Sequence, residues 1–175
     1  LEELHQFSDK YGYEVEEIPR QDIDEIGISS TKIRRALEVG DVLQANTYLG
    51  RNYALTGRVV HGDKIGRSLG YPTANIAIKE NYKLIPSDGI YAVRVCHEYT
   101  KYNGMLNIGI RPTIGGDNKT IEVNIFDFDR DIYESEITIE FVDLIRKEIK
   151  FNSLDELKMQ LKSDKQAVVE RLSKL

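Results

Sequence analysis

After residue 50, five runs of strand-forming residues follow one another with no helical pattern between them. They read "YALTGRVV", "GIYAVRVC", "YNGMLNIGI", "TIEVNIFDF" and "SEITIEFVDLI". Each is rich in β-branched and aromatic residues and is bounded by Gly or Pro clusters, which is the pattern of strands. Five or six strands without intervening helices point to an antiparallel sheet closed into a small barrel, spanning about residues 50 to 145. The chain has 175 residues and a hydrophobic fraction of 41%, enough for one ordinary domain with an appendage and a real core.

Helical patterns flank the barrel. "LEELHQFSDKYG" carries apolar residues at 1, 4 and 7, with Gly12 as a stop, and "YEVEEI" then alternates like a short strand. Ser29 or Ser30 can cap a helix holding Ile33, Ala36 and Leu37, which Gly40 ends. Asp41 can cap "VLQANTYL", which ends at Gly50. Near the C-terminus, Ser153 and Glu156 form a capping box. Leu154, Leu157 and Leu161 make one apolar stripe, and Val168 and Leu172 continue it after an expected break near Ser163 and Asp164.

Charge and rare residues narrow the function classes. The formal net charge is −5, with no block of like charge. General nucleic-acid binding needs clustered Lys and Arg, so it is not expected, although a local basic patch can hold a small anion. Cys96 is the single cysteine, has no internal disulfide partner and reads as a small buried hydrophobe. His5, His61 and His97 lack metal-ligand spacing, which argues against zinc. No apolar stretch approaches the ~18 residues of a membrane span, and no signal peptide is visible. The expectation is a cytoplasmic protein, and a start without Met suggests a fragment.

The densest chemistry lies in "GRVVHGDKIGRSLGYPTAN", residues 57–75. Gly62, Gly66 and Gly70 recur at four-residue intervals, so backbone N–H groups can approach a phosphate. Lys64 and Arg67 add positive charge suited to ATP, and Pro72 pre-orders the turn that presents Thr73 and Asn75. Two apart on an extended segment, those residues point to one side. A hydroxyl and an amide oxygen are hard ligands that magnesium accepts beside water and phosphate. The same residues also suit a plain glycine-rich loop and turn. "GDKIGRS" is one residue short of a Walker A loop, has Arg where Lys belongs and has no helix pattern after it. No G-x-G-x-x-G follows a strand.

In "TIEVNIFDF", Ile121, Val123 and Ile125 alternate onto one face, which leaves Glu122 rigidly mounted on the other. A carboxylate so held can take a proton from an attacking hydroxyl, or can simply face solvent. Asp127, Asp129, Asp131, Glu134 and Glu136 read as a solvated hairpin, because the glycine and spacing of an EF-hand are absent.

These residues resemble the riboflavin kinase domain of bacterial flavin-synthesising enzymes. The likeness runs through "GRVVHGDKIGRSLGYPTAN", "IPSDGIYAV", "NIGIRPTIGG", "IEVNIFDFDRDIYES" and "FVDLIRKEIKFNSLDELKMQLKSD", in family order. It implies a six-stranded, Greek-key-like barrel with a C-terminal helix, and transfer of the γ-phosphate of ATP to the ribityl 5′-hydroxyl of riboflavin. It implies Glu122 as general base, with Thr73 and Asn75 holding Mg2+ and the phosphates. Gly62, Lys64, Gly66, Arg67, Gly70 and Pro72 fall in the ATP-binding segment. Tyr71, Arg146, Asn152, Leu154 and Asp155 fall where the family encloses the flavin, although Asp155 also suits a helix start. Riboflavin, FMN, ATP and ADP are the implied partners.

"ISSTKIRRALEVGDVLQANTYLGRNY" resembles the tail of the FMN adenylyltransferase domain that precedes the kinase in the bifunctional enzymes. The family's His-x-Gly-His motif is missing from this chain. Residues 1–48 are therefore expected to be an α/β remnant unable to make FAD, and residues 49–175 the kinase domain. Two other readings stand beside this one: a flavin-binding module without turnover, and an oligonucleotide-binding barrel. Intact Thr73, Asn75 and Glu122 weigh against the first, and the acidic balance against the second.

Overall fold

Alternation along each run sends successive side chains to opposite faces of a sheet, so a closed sheet has an apolar inside and an outside that needs cover. The computed structural model shows this arrangement. It describes residues 2–16, 22–23, 26–62, 65–80, 82–113 and 116–174. In chain order the elements are α1 (Glu2–Tyr11), β1 (Asp22–Ile23), β2 (Ile26–Gly27), α2 (Ser30–Val39), α3 (Val42–Leu49), β3 (Ala54–Val60) and α4 (Ile65–Ser68). There follow β4 (Ala74–Ala77), β5 (Gly89–His97), β6 (Thr100–Thr113), β7 (Gly116–Ile125), β8 (Glu136–Arg146) and α5 (Leu154–Ser173).

Strands β3 to β8 close into a six-stranded antiparallel barrel in the order β3-β4-β7-β6-β5-β8. β5, β6 and β7 are successive neighbours and β8 returns beside β5, which is Greek-key order. The strand missing from the five obvious runs is β4, the short segment that begins at Ala74. Inside, Leu55, Val59, Tyr91, Leu106, Ile108 and Phe141 belong to one buried cluster. Outside, Ile90, Ala92, Met105 and Val142 form a second cluster with Phe126 and with Val168 and Leu172 of α5.

Two register shifts change which side of the barrel Asp143 and Leu144 of β8 address. Ile137, Ile139 and Phe141 belong to the inner cluster, and simple alternation would carry Asp143 inward with them. Val93 instead pairs with Phe141 and Ala92 with Asp143, so Val142 is bulged. A second bulge at Ile145 follows, since Tyr91 pairs with Leu144 and Ile90 with Arg146. Each bulge resets the parity of the strand. The first bulge turns Asp143 outward and the second restores the original alternation. Asp143 and Arg146 both face α5, where they pair with Arg171 and Asp164 at 2.7 Å each.

The lead-in helices start and stop at their capping residues. Ser29 caps α2 by accepting from the Lys32 N–H, and Asp41 caps α3 by accepting from the Gln44 N–H. Ala36, Leu37, Val42 and Ala45 join the inner cluster and close one end of the barrel. Asn46 fastens α3 there, donating to the Phe141 carbonyl at 2.9 Å and accepting from the Tyr53 N–H at 2.7 Å. The apolar residues Leu4, Phe7 and Tyr11 of α1 are exposed. The strand expected at "YEVEEI" is not formed at residues 13–16, and its remainder lies outside the described residues.

The C-terminal segment differs from expectation in one respect. α5 runs unbroken for 20 residues, and Asp164 sits at its middle, only 2% exposed. An aspartate in mid-helix competes for the backbone only when its carboxylate has no better partner. Here both oxygens are bound by Arg146 and Gln160. The half-buried positions 157 and 161 and the buried positions 164, 168 and 172 follow helical spacing, and Asp164 occupies the central one.

Candidate active site

Cross-strand register assembles the site on the outer wall of the barrel. Asn75 of β4 lies opposite Glu122 of β7, Glu122 opposite Asn107 of β6, Asn107 opposite Ile90 of β5, and Ile90 opposite Arg146 of β8. Three strand spacings separate Glu122 from Arg146, roughly 14 Å along the curved sheet. The row has a polar end at Asn75 and Glu122, a partly apolar middle and a cationic end at Arg146.

The glycine-rich turn brings the polar end together. The Thr73 hydroxyl donates to a Glu122 carboxylate oxygen at 3.4 Å. Gly62 lets the Asn75 amide pack against the backbone, because a Cβ there would displace that amide. Gly70 is required by conformation: its φ is +83°, and nothing lies near the missing Cβ. Its N–H donates to the Arg67 carbonyl at 3.2 Å, closing the turn after α4. That single helical turn stands where the sequence pattern showed no helix. Beneath it, the buried Asn124 donates to the Pro72 carbonyl at 2.6 Å and fixes the segment that presents Thr73.

Two cavities meet at Thr73. The first holds about 310 Å³ between the outer wall and α5. Ile90, Met105, Tyr71, Phe151, Leu157 and Leu161 supply its apolar surface, and Glu122, Asn107, Asn124, Arg146 and Glu148 its polar groups. The second holds about 200 Å³ at the end of the barrel away from α2 and α3. Arg67, Pro72 and Thr73 line one side of it, and Phe128, Arg130, Ile132 and Tyr133 the other. Residues 126–135 are thus more than a solvated hairpin. Their acids are mostly exposed as expected, but Phe128, Ile132 and Tyr133 pack against the inner cluster. The His61 and Tyr133 rings lie 3.9 Å apart and join this loop to the start of the glycine-rich turn.

Electrostatics distinguish the far end of the first cavity. Burial pushes the Glu148 carboxyl above its ordinary value, Asp88 adds to that rise, and Arg146 partly offsets it. The residue as a whole is exposed, yet its carboxylate end lies against Gly109, where a Cβ would collide with it. Arg146 also lies over the Phe151 ring, with its guanidinium carbon 5.9 Å from the centroid.

Most of the residues singled out from sequence converge here. Thr73, Asn75, Glu122, Gly62 and Gly66 gather at the polar end, Tyr71 and Arg146 line the first cavity, and Arg67 and Pro72 line the second. Lys64 lies outside the described residues. Asn152, Leu154 and Asp155 are exposed and line neither cavity. Instead, Ser153 caps α5 and the Glu156 carboxylate accepts from the Asn152 N–H at 2.9 Å, one residue before the N-cap. Sequence reasoning missed Asn107, Asn124, Glu148, Phe151 and the wall formed by Leu157 and Leu161. Alternation in "YNGMLNIGI" places Asn107 opposite the core face, but only register sets it beside Glu122.

The donors at the polar end fit magnesium. A hydroxyl, an amide oxygen and one carboxylate are hard ligands, too few for an all-protein cage and suited to an ion that keeps water and substrate phosphate. Among the described residues, no cluster of three or more His, Cys, Asp or Glu side chains could hold a metal without such help.

The sequence matches the family described as "Flavokinase: Riboflavin kinase" over residues 49–172. The chain belongs to the riboflavin kinase family. A bifunctional riboflavin kinase/FMN adenylyltransferase of Bacillus subtilis (strain 168) is 43% identical over 164 residues, covering 92% of this chain and 51% of its own length. The protein of the same name from Haemophilus influenzae is 43% identical over 162 residues, covering 92% and 52%. The chain therefore spans about half the length of the curated relatives it matches. Among solved structures, one described as a macrolide-efflux protein from Streptococcus pneumoniae superposes with a TM-score of 0.81 at 40% identity. That match covers 86% of this chain and 49% of the other. No helix of the described residues is long and apolar enough to cross a membrane.

Proposed function

We propose that this chain transfers the γ-phosphate of ATP to the ribityl 5′-hydroxyl of riboflavin, giving FMN and ADP. The observation that carries the reading is the meeting of two cavities at Thr73, beside the Glu122 carboxylate. Riboflavin lies in the first cavity, its ring against the apolar wall under α5 and its ribityl chain directed to Glu122. ATP lies in the second cavity, its phosphates reaching Thr73 past Arg67.

Phosphoryl transfer depends mainly on positioning and charge stabilisation. Glu122 orients the 5′-hydroxyl and accepts its proton as the oxygen attacks phosphorus. Arg67 neutralises negative charge on the transferring group. Thr73 and Asn75 are the residues that would hold Mg2+, which when bound screens the phosphate charge. The α5 wall excludes water that would otherwise compete with the alcohol.

We further infer that residues 49–175 are the kinase domain and that residues 1–48 belong to the adenylyltransferase side of the bifunctional relatives. Supporting this, the likeness to the Bacillus enzyme covers 92% of the chain, whereas the kinase family match begins at residue 49. ATP as the phosphate donor favours a cytoplasmic site of action.

The test is incubation of the chain with riboflavin, ATP and MgCl2, followed by chromatographic separation of the flavins. A parallel tube holds FMN and ATP. FMN is expected in the first tube and no FAD in the second. Riboflavin left unconverted would overturn the kinase reading, and FAD in the second tube would overturn the reading of residues 1–48.

A further inference from the structure

A charged residue on the buried stripe of a helix needs a reason, because an apolar side chain of similar size would leave the helix equally well docked. Asp164 is such a residue, and its environment is specific. One carboxylate oxygen accepts from Arg146 Nε at 2.9 Å and from Gln160 Nε2 at 2.8 Å. The other accepts from Arg146 Nη2 at 2.7 Å. Arg146 Nη1 donates to the Lys147 carbonyl at 3.0 Å. All three guanidinium nitrogens are thus engaged, two by Asp164 and one by the Lys147 carbonyl, and Arg146 lines the first cavity while Asp164 does not.

The second ion pair between β8 and α5 provides an internal contrast. Asp143 and Arg171 also meet at 2.7 Å, through a side chain that a bulge has turned outward. That pair joins the same two elements but lies outside the cavity lining. Docking of α5 therefore does not by itself account for Asp164.

We propose that Asp164, supported by Gln160, is a positioning residue that holds the Arg146 guanidinium as a fixed wall of the riboflavin site. The proposal rests on the reading of the first cavity as the flavin site. It makes flavin affinity depend on a helix residue that the flavin does not touch. Fixing a planar donor group before binding removes an ordering cost that each binding event would otherwise carry.

The test compares the full chain with its Asp164→Asn and Asp143→Asn variants. Riboflavin affinity is read by fluorescence quenching, KM is measured for riboflavin and for ATP, and Tm reports folding. Asp164→Asn is expected to weaken riboflavin binding about tenfold or more and to change the ATP KM by less than about twofold. Asp143→Asn is expected to lower Tm while leaving riboflavin affinity within about twofold of the parent chain. Equal effects of the two variants on riboflavin, or none from Asp164→Asn, would overturn the proposal. If Asp164→Asn does not fold, Gln160→Met removes one hydrogen bond and keeps the ion pair. A rise of about threefold in riboflavin Kd then supports the proposal, and no rise overturns it. Absence of quenching by the parent chain would overturn the flavin-site reading itself, which separates the two failures.

Discussion

Inside the barrel, Tyr91, Leu106, Ile108 and Phe141 are fully buried, and among the described residues no charged side chain joins their cluster. One position along the same strands, Ile90 and Met105 share the outer wall with Glu122, Asn107 and Arg146. The two faces belong to the same strands and differ in what covers them. The inner face is sealed by the barrel itself and by α2 and α3, so any polar group there would lose water without compensation. The outer face is covered incompletely by α5, which leaves a cavity where polar groups remain useful. The larger apolar cluster lies on one side of the sheet and the first cavity on the other.

Substitutions on the two faces should therefore separate. The largest expected effect is on chemistry. Glu122→Gln keeps the shape of the side chain and removes the base, so kcat should fall by about 10²–10⁴-fold. Riboflavin quenching and Tm should stay near those of the parent chain. Loss of quenching or a large fall in Tm would show that the outer face is structural after all. Phe141→Ala tests the inner face. Phe141 makes an edge-on contact with Tyr91 at 5.3 Å and packs with Tyr53 at 6.2 Å. Its removal should cost about 3–5 kcal/mol in denaturant unfolding, while the folded fraction retains its riboflavin KM.

The smallest effect concerns the outer face away from α5, where Glu140 meets Lys101 at 2.9 Å. Burial raises the Glu140 carboxyl, but hydrogen bonds and charge from Lys101, with help from Cys96 and Asn52, outweigh it and hold the group below its ordinary value. A depressed acid contributes stability above its ordinary pKa and loses it as pH falls through the folded-state value. The pair is partly exposed, so its contribution should stay under about 1 kcal/mol. Unfolding measured from neutral pH to below the carboxylate range should show less acid destabilisation in Glu140→Gln than in the parent chain. Identical pH profiles would remove Glu140 from the account.

Much of this molecule follows from local rules that a sequence displays openly. Alternation determined the inner layer and put Glu122 on the face opposite Ile121 and Val123, because side-chain direction in a strand repeats every two residues. Ser29, Asp41 and Ser153 determined where three helices begin, since a capping oxygen acts within three residues of itself. Thr73 and Asn75 were legible for the same reason.

The tertiary structure decided what depends on partners distant in the chain. Asn107 reaches Glu122 only through the register of β6 on β7. The bulge at Val142 reversed the parity of β8 for Asp143 and Leu144, the bulge at Ile145 restored it, and nothing in the composition of "EFVDLIR" announces either. Asp164 looked like a helix breaker because its partner lies 18 residues away in sequence. A carboxylate without a partner interrupts a helix, whereas one held by Arg146 and Gln160 fastens it, and only the folded chain brings those groups together.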